Sequence, residues 1–350
     1  MRVLVSGSDG YLGWPVVRLL QAAGHDVAGL DTLLYEGCLL GAIEPDTIPV
    51  MRMDIRDVTP AHLDGFDAVV HLAGISNDPL GDLDPSSTYD VNHRGTVVLA
   101  EAAKAAGATR FLFSSSCSLY GAHGDAMLDE SAEFNPVTPY GESKVFAERD
   151  LSILADDDFS PTYLRNATAF GVSPRLRGDL VVNNLVGHAV THGEVFLKSD
   201  GTPWRPLVHV EDIAAAFLAI LGAPRHLVHD EPFNVCRTTE NYQIREVAEI
   251  VEQIVPGSRI VLAESAGPDK RNYRVSGDKL AETLPSFQPS WTVRRGAEQL
   301  YEAFVANGLT EDDLEGTTFL RIRKVQELQD AGRLTADLRW QTQVGEAAGV

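Results

Sequence analysis

Tyr140 and Lys144 stand four residues apart, a spacing that places both side chains on one face of a helix. A phenol ordinarily gives up its proton at about pH 10, too high for a base at neutral pH, and a neighbouring ammonium favours the phenolate and lowers that value. Just upstream, the apolar run Phe111–Phe113 passes into Ser114, Ser115 and Ser116 and ends at Gly121. A serine hydroxyl aimed at the same spot would share the proton in flight. These residue types offer removal of a proton from an alcohol. Taken alone, the Tyr-x-x-x-Lys spacing is also that of a solvated helix face, and serines after a strand are ordinary loop residues. The assignment therefore depends on what positions them.

The N-terminal run Val3-Leu4-Val5 leads into Gly7, Gly10 and Gly13, after which Val16, Val17, Leu19 and Leu20 recur at helical spacing up to Gly24. Strand, glycine-rich turn and helix in that order let the backbone approach a pyrophosphate at a helix N-terminus. A second strand, Val27–Leu30, ends at Asp31, an acid that accepts hydrogen bonds from an adenosine ribose and repels a 2′-phosphate. This favours NAD over NADP. Further apolar runs at 48–53, 68–74, 111–113 and 162–165 alternate with helical stretches at about 88–106 and around Tyr140. Such alternation predicts an α/β fold, a Rossmann-type doubly wound parallel sheet with a smaller mixed α/β substrate domain. Ligands of these sheets sit at strand carboxyl ends, where Gly7, Asp31, Asp54, Gly74 and Ser116 fall.

Beyond Ala167 proline, glycine and short mixed elements dominate. The expected organisation is a cofactor domain over 1–167, with 205–228 returning to it, and a substrate domain over 168–204 and 229–306. A helical tail over 307–350 carries Phe319, Ile322, Val325 and Leu328 on one face and stops at Gly332. Nothing in the sequence says what the tail packs against.

The 350 residues are 44% hydrophobic and 23% charged, an ordinary globular composition, and the net charge is −21. That charge argues against nucleic acid or an anionic membrane surface as partner, so individual arginines become informative for any phosphate ligand. Cys38, Cys117 and Cys236 are scattered, which predicts neither disulfides nor a zinc cluster. No apolar run approaches the ~18 residues of a membrane span, and no cleavable leader is evident, so a cytoplasmic location is expected. His188 and His192 have helical metal-ligand spacing, but Ala189 replaces the glutamate of the metalloprotease motif and no metal is expected.

Taken together the motifs resemble the extended short-chain dehydrogenase/reductases, especially the NAD-dependent nucleotide-sugar epimerases and dehydratases, over roughly residues 1–305. Gly7-x-x-Gly10-Tyr11-Leu12-Gly13 is similar to that family's dinucleotide loop. Asp31 and the pair Asp54-Ile55 resemble its ribose and adenine contacts, Leu72-Ala73-Gly74 its nicotinamide-side segment, and Asn92 its structural asparagine. Ser116, Tyr140 and Lys144 match the catalytic trio. The resemblance implies a substrate site built from Ser76, Ser116, Cys117, Ser118, Thr168, Asn183-Asn184-Leu185, Arg205 and Arg271, the arginines holding a sugar-nucleotide diphosphate.

The implied mechanism has Tyr140 take a proton from a sugar hydroxyl while hydride passes to NAD, with Lys144 on the nicotinamide ribose and Ser116 on the reacting oxygen. The resembling dehydratases carry Asp-Glu after the serine, where this chain has Cys117-Ser118. The decarboxylating members carry a glutamate at the position of Ser118, and the 3,5-epimerising members a cysteine there. Cys117 is one position off, and a strand neighbour points to the opposite face. A C4 epimerase of a nucleotide-diphosphate sugar is the expected activity, with an NDP-4-keto-sugar reductase or another NDP-sugar dehydrogenase or dehydratase as the alternative and a non-catalytic NAD-binding regulator as a remote one. Thr168 and Ser76 depart from the epimerase pattern, which leaves the sugar open. A homodimer through the helices near 92–106 and 140–154 is also implied.

Overall fold

The computed structural model describes residues 1–41, 48–76, 84–267 and 271–341. Its large sheet contains β1 (Arg2–Ser6), β2 (Asp26–Asp31), β3 (Val50–Arg52), β4 (Ala68–His71) and β5 (Arg110–Ser116), joined by strands Ser160–Asn166 and Glu231–Val235. All are parallel, in the order Glu231–Val235, Ser160–Asn166, β5, β4, β1, β2, β3. Central strands such as β4 and β5 are buried along their whole length, which is why they read as continuous apolar runs. The strand order reverses between β1 and β4, so a crevice opens there at the carboxyl ends.

Two boundaries differ from the sequence reading, which returns 205–228 to the cofactor domain and puts 229–306 wholly outside the large sheet. Strand Trp204–His209 pairs in the smaller sheet instead, and only the helix after it returns. Strand Glu231–Val235 is the edge strand of the large sheet, paired with Ser160–Asn166. Pro232 is tolerated in this strand because it lies at the edge of the sheet.

Helices cover both faces. α1 (Gly13–Ala22) buries Val16, Val17 and Leu20 in one cluster with Ile213, Phe217 and Ile220 of helix Val210–Gly222. On the other face Leu99, Ala103, Ala147 and Leu151 share a cluster with Leu4, Val69, Phe111 and Phe113. The helix expected at about 88–106 is interrupted: Pro85–Tyr89 and Thr96–Ala105 are α-helical, and Asp90–Gly95 is a π turn.

The smaller unit has a sheet of Thr168–Phe170, Trp204–His209 and Asn241–Gln243, with helices Val181–His192, Ile244–Ile254 and Val293–Ala306 around a second core. The tail forms helices Glu311–Glu315 and Arg321–Asp330. Val325, Leu328, Leu334 and Leu338 cluster with Ile75, and Leu34, Tyr35, Val91 and Ile322 pack around them. The tail thus lies on the cofactor side of the molecule. Positions 342–350 of the expected tail lie outside the described residues. No helix among the described residues is long and apolar enough to cross a membrane.

Candidate active site

The glycine loop works by close packing. Gly7 adopts φ +75°, and a Cβ there would lie 2.7 Å from the Ala73 nitrogen; one at Gly13 would lie 2.3 Å from the Gly7 carbonyl. Both contacts are with backbone, so a side chain at either position would prise the turn from the sheet. In the first turn of α1 the Trp14 and Val16 N–H groups donate to the Gly10 and Leu12 carbonyls, and Pro15 has none, so the positive end of the helix is presented chiefly by its dipole and the loop before it. Here that terminus opens on a cavity lined by Gly7, Gly10, Tyr11, Leu12 and Gly13. Tyr11 ties the loop to the smaller unit: its hydroxyl donates to the Gly171 carbonyl at 2.7 Å and accepts from Asn183 Nδ2 at 3.1 Å.

Asp31 closes the same end. Its carboxylate accepts from the Asp9 and Leu33 backbone N–H groups at 2.9 and 2.8 Å. Burial pushes its pKa up, and those two bonds oppose the rise. Asp54 and Ile55 line the cavity too. Burial would raise the Asp54 pKa, but Arg56, whose Nη2 lies 2.6 Å from Oδ2, outweighs it and holds the group below the usual carboxylate range. Leu72, Ala73, Gly74 and Ser76 form the wall beyond β4.

The proton-transfer pair comes from helix Pro139–Leu154. Thr138 caps it by accepting from the Gly141 N–H, and Pro139 occupies the first turn, so Tyr140 and Lys144 project from a rigid helix start. Lys144 Nζ lies 5.7 Å from the Tyr140 ring centroid and donates to the Ser114 carbonyl at 2.8 Å. Burial pushes the Lys144 pKa down to about 7, with Glu148 acting against the fall. Ser116 Oγ accepts from the Ser118 backbone N–H and lies 3.1 Å from Ser118 Oγ. Ser116, Ser118, Tyr140, Lys144 and Thr168 all line the cavity.

Two expected contacts are not brought there. Cys117 is fully buried and its thiol donates to the Arg165 carbonyl at 3.1 Å, on the far side of the chain from Ser116 and Ser118; burial pushes its pKa well up. Asn92 sits inside the π turn and braces the end of β4. It accepts from the Ile75 N–H at 2.7 Å and donates to the Ile75 carbonyl at 2.9 Å, so both ends of its amide are spent on the backbone.

On the sugar side Asn184, Leu185, Arg205 and Arg271 line the cavity. Arg205 donates to the Trp204 and Arg271 carbonyls. Asn183 lies beneath, accepting from the Gly171 N–H and donating to the Arg177 carbonyl. Tyr273, beside Ser118, is pushed up to about 12 by burial. His188 and His192 face Glu315 and Glu311 at 3.7 and 3.4 Å, and no group of three or more metal-binding side chains occurs among the described residues.

Among the lining arginines that the sequence reading did not name are Arg177 and Arg321. Arg177 donates to Ser76 Oγ at 2.8 Å and pairs with Asp179. Arg321 enters from the tail. The signal available was the value of any arginine in so acidic a chain, but neither belongs to a local motif. The cavity measures about 1290 Å³. Ligand pockets are commonly about 300–1,000 Å³, so this one has room for a dinucleotide and a second ligand together.

Residues 3–236 match the family described as the NAD dependent epimerase/dehydratase family, and the chain belongs to it. A UDP-glucose 4-epimerase of Neisseria meningitidis serogroup C is 29% identical over 332 residues, covering 86% of this chain and 95% of that relative. Another from Lactobacillus helveticus is 30% identical over 282 residues, covering 73% and 82%. A dTDP-glucose 4,6-dehydratase from Streptomyces venezuelae, solved with NAD bound, matches in structure with a TM-score of 0.78 at 23% identity over 89% of this chain and 100% of that one. The protein is an NAD-dependent enzyme of the epimerase/dehydratase type. Its residues fit the cofactor: a helix N-terminus for the diphosphate, a buried carboxylate for the ribose and a buried lysine beside the tyrosine.

Proposed function

We propose that the enzyme epimerises a nucleotide-diphosphate sugar at C4. The observation that carries this reading is the wall after β5. Ser116 and Ser118 face the cavity, Cys117 faces away, and positions 117 and 118 carry a thiol and a hydroxyl where the elimination chemistry would place an acid and a base. NAD, when bound, takes up a hydride and gives it back. Tyr140 removes the proton from the sugar hydroxyl and later returns it. Lys144 supplies positive charge beside the phenol, and Ser116 holds the reacting oxygen. Arg205, Arg271 and Asn184 face the substrate diphosphate, where a guanidinium fork matches phosphate oxygens. Ser76 and Thr168 border the sugar.

A panel of nucleotide sugars, beginning with UDP-hexoses because the relatives are named for one, tests the assignment. NMR of the products should show C4 epimers, without added NAD and with a flat reduced-nicotinamide band. Stoichiometric NADH consumption on a keto-sugar would replace it with a ketoreductase, and a dehydrated product with a dehydratase. We also propose a homodimer through helices Thr96–Ala105 and Pro139–Leu154, the latter carrying Ile153 at 76% exposure. Light scattering on the active preparation should give twice 38.0 kDa, and a fully active monomer would remove that interface.

A further inference from the structure

The tail crosses from the smaller unit to the cofactor side. At one end the Gly178 N–H donates to the Phe319 carbonyl, and Leu314 packs on Gly187. At the other, Trp340 Nε1 donates to the Thr32 carbonyl at 2.6 Å, directly after Asp31, and Arg56 donates to the Asp337 carbonyl at 2.9 Å. Arg339 pairs with Asp57 at 2.7 Å. Both segments that the tail grips, Thr32 and Arg56–Asp57, adjoin the residues expected to hold the cofactor's adenosine. The tail is a strap across the crevice.

Arg321 lies at the middle of that strap, on the cavity wall and only 5% exposed. Nη2 donates to the Arg175 carbonyl at 2.9 Å, and the guanidinium lies 3.9 Å from the Tyr35 ring centroid. Nη1 is buried without a hydrogen-bond partner, and among the described residues no carboxylate lies within ion-pair distance. The two neighbouring arginines each have a carboxylate partner, although Arg175 Nη1 is likewise buried without a hydrogen bond. Arg175 is neutralised by Asp9 of the glycine loop at 2.7 Å, and Arg177 by Asp179 at 2.7 Å. A buried guanidinium with no ion-pair partner of its own is costly; Asp179 acts on it only from beyond contact while paired with Arg177, and the cavity it lines can supply an anion. Arg321 is linked through the Arg175 carbonyl and Asp9 to the glycine loop, and the anion expected at that loop is the cofactor diphosphate.

We propose that Arg321, carried in by the tail, binds the diphosphate of NAD. NAD is assigned by the family, so the proposal stands or falls independently of the C4 assignment. Full-length wild type, Arg321→Gln and Arg321→Lys are dialysed, and NAD released on denaturation is counted per chain. Wild type should keep its NAD, Arg321→Gln should lose it, and Arg321→Lys should retain an intermediate share. In NAD-stripped protein, Arg321→Gln should bind ADP about 10-fold or more weakly and adenosine unchanged, as expected for loss of a charged hydrogen bond to phosphate. Retention of NAD by Arg321→Gln would overturn the proposal. So would equal weakening of ADP and adenosine, with a lower melting temperature of the stripped protein, because Arg321 would then only secure the strap.

Discussion

Tyr140→Phe is expected to lower turnover by about 100- to 10,000-fold, the range of a positioned general base, while NAD stays bound. The substitution removes one hydroxyl and keeps the ring that packs on the helix start capped by Thr138. Lys144 remains anchored on the Ser114 carbonyl by its own hydrogen bond, so the cation stays in place without the phenol. Cofactor content and melting temperature of the variant should match wild type, which separates lost chemistry from lost structure. Turnover within a few-fold of wild type would refute Tyr140 as the base. Loss of NAD together with turnover would instead make the tyrosine a binding residue.

The second large effect lies one turn beyond Lys144. Glu148 and Arg165 form a buried pair, with side chains 7% and 5% exposed and Nη2 to Oε2 at 2.7 Å. Ser115 Oγ also donates to Glu148 at 2.5 Å. Glu148→Ala leaves the Arg165 charge buried, still held by Tyr120 OH and the Glu130 carbonyl but without a counter-ion. Breaking such a pair from one side should cost about 3–5 kcal/mol of stability, read from the urea midpoint. Replacing both partners by methionine should recover most of that loss, because two apolar side chains leave no stranded charge. A single-variant loss below about 1 kcal/mol would show that the pair is not desolvated as its geometry requires. The pair bears on the site as well: Glu148 raises the pKa of Lys144, so its removal weakens the hold on the lysine's charge.

Local spacing carried most of the cofactor site. Gly7, Gly10 and Gly13 follow a strand and open a helix, Asp31 ends the next strand, and Tyr140 and Lys144 share a helix face; each relation spans a few residues, so the sequence order is enough to read it. Cys117 does turn away from Ser116 and Ser118 as expected, but in a 3-10 turn that begins where the strand ends at Ser116, not by strand alternation. Asn92 was harder, because a π turn inside an expected continuous helix aims its amide at the Ile75 backbone. Strand Glu231–Val235 was missed because its pairing with Ser160–Asn166 joins segments far apart in the chain, and Pro232 is tolerated there only because the strand lies at the edge.

The arginines mark the division most clearly. By itself the sequence determined a doubly wound sheet, a dinucleotide loop and a tyrosine–lysine pair, since hydrophobic period and short-range spacing encode them. Tertiary structure alone decided that Arg177 meets Ser76 and that Arg321 meets Arg175, contacts separated by 101 and 146 positions. It also decided that the tail straps the crevice. Nothing local distinguishes a surface arginine from one folded against a cavity: the difference is the burial of its charge, and burial exists only once distant segments have packed.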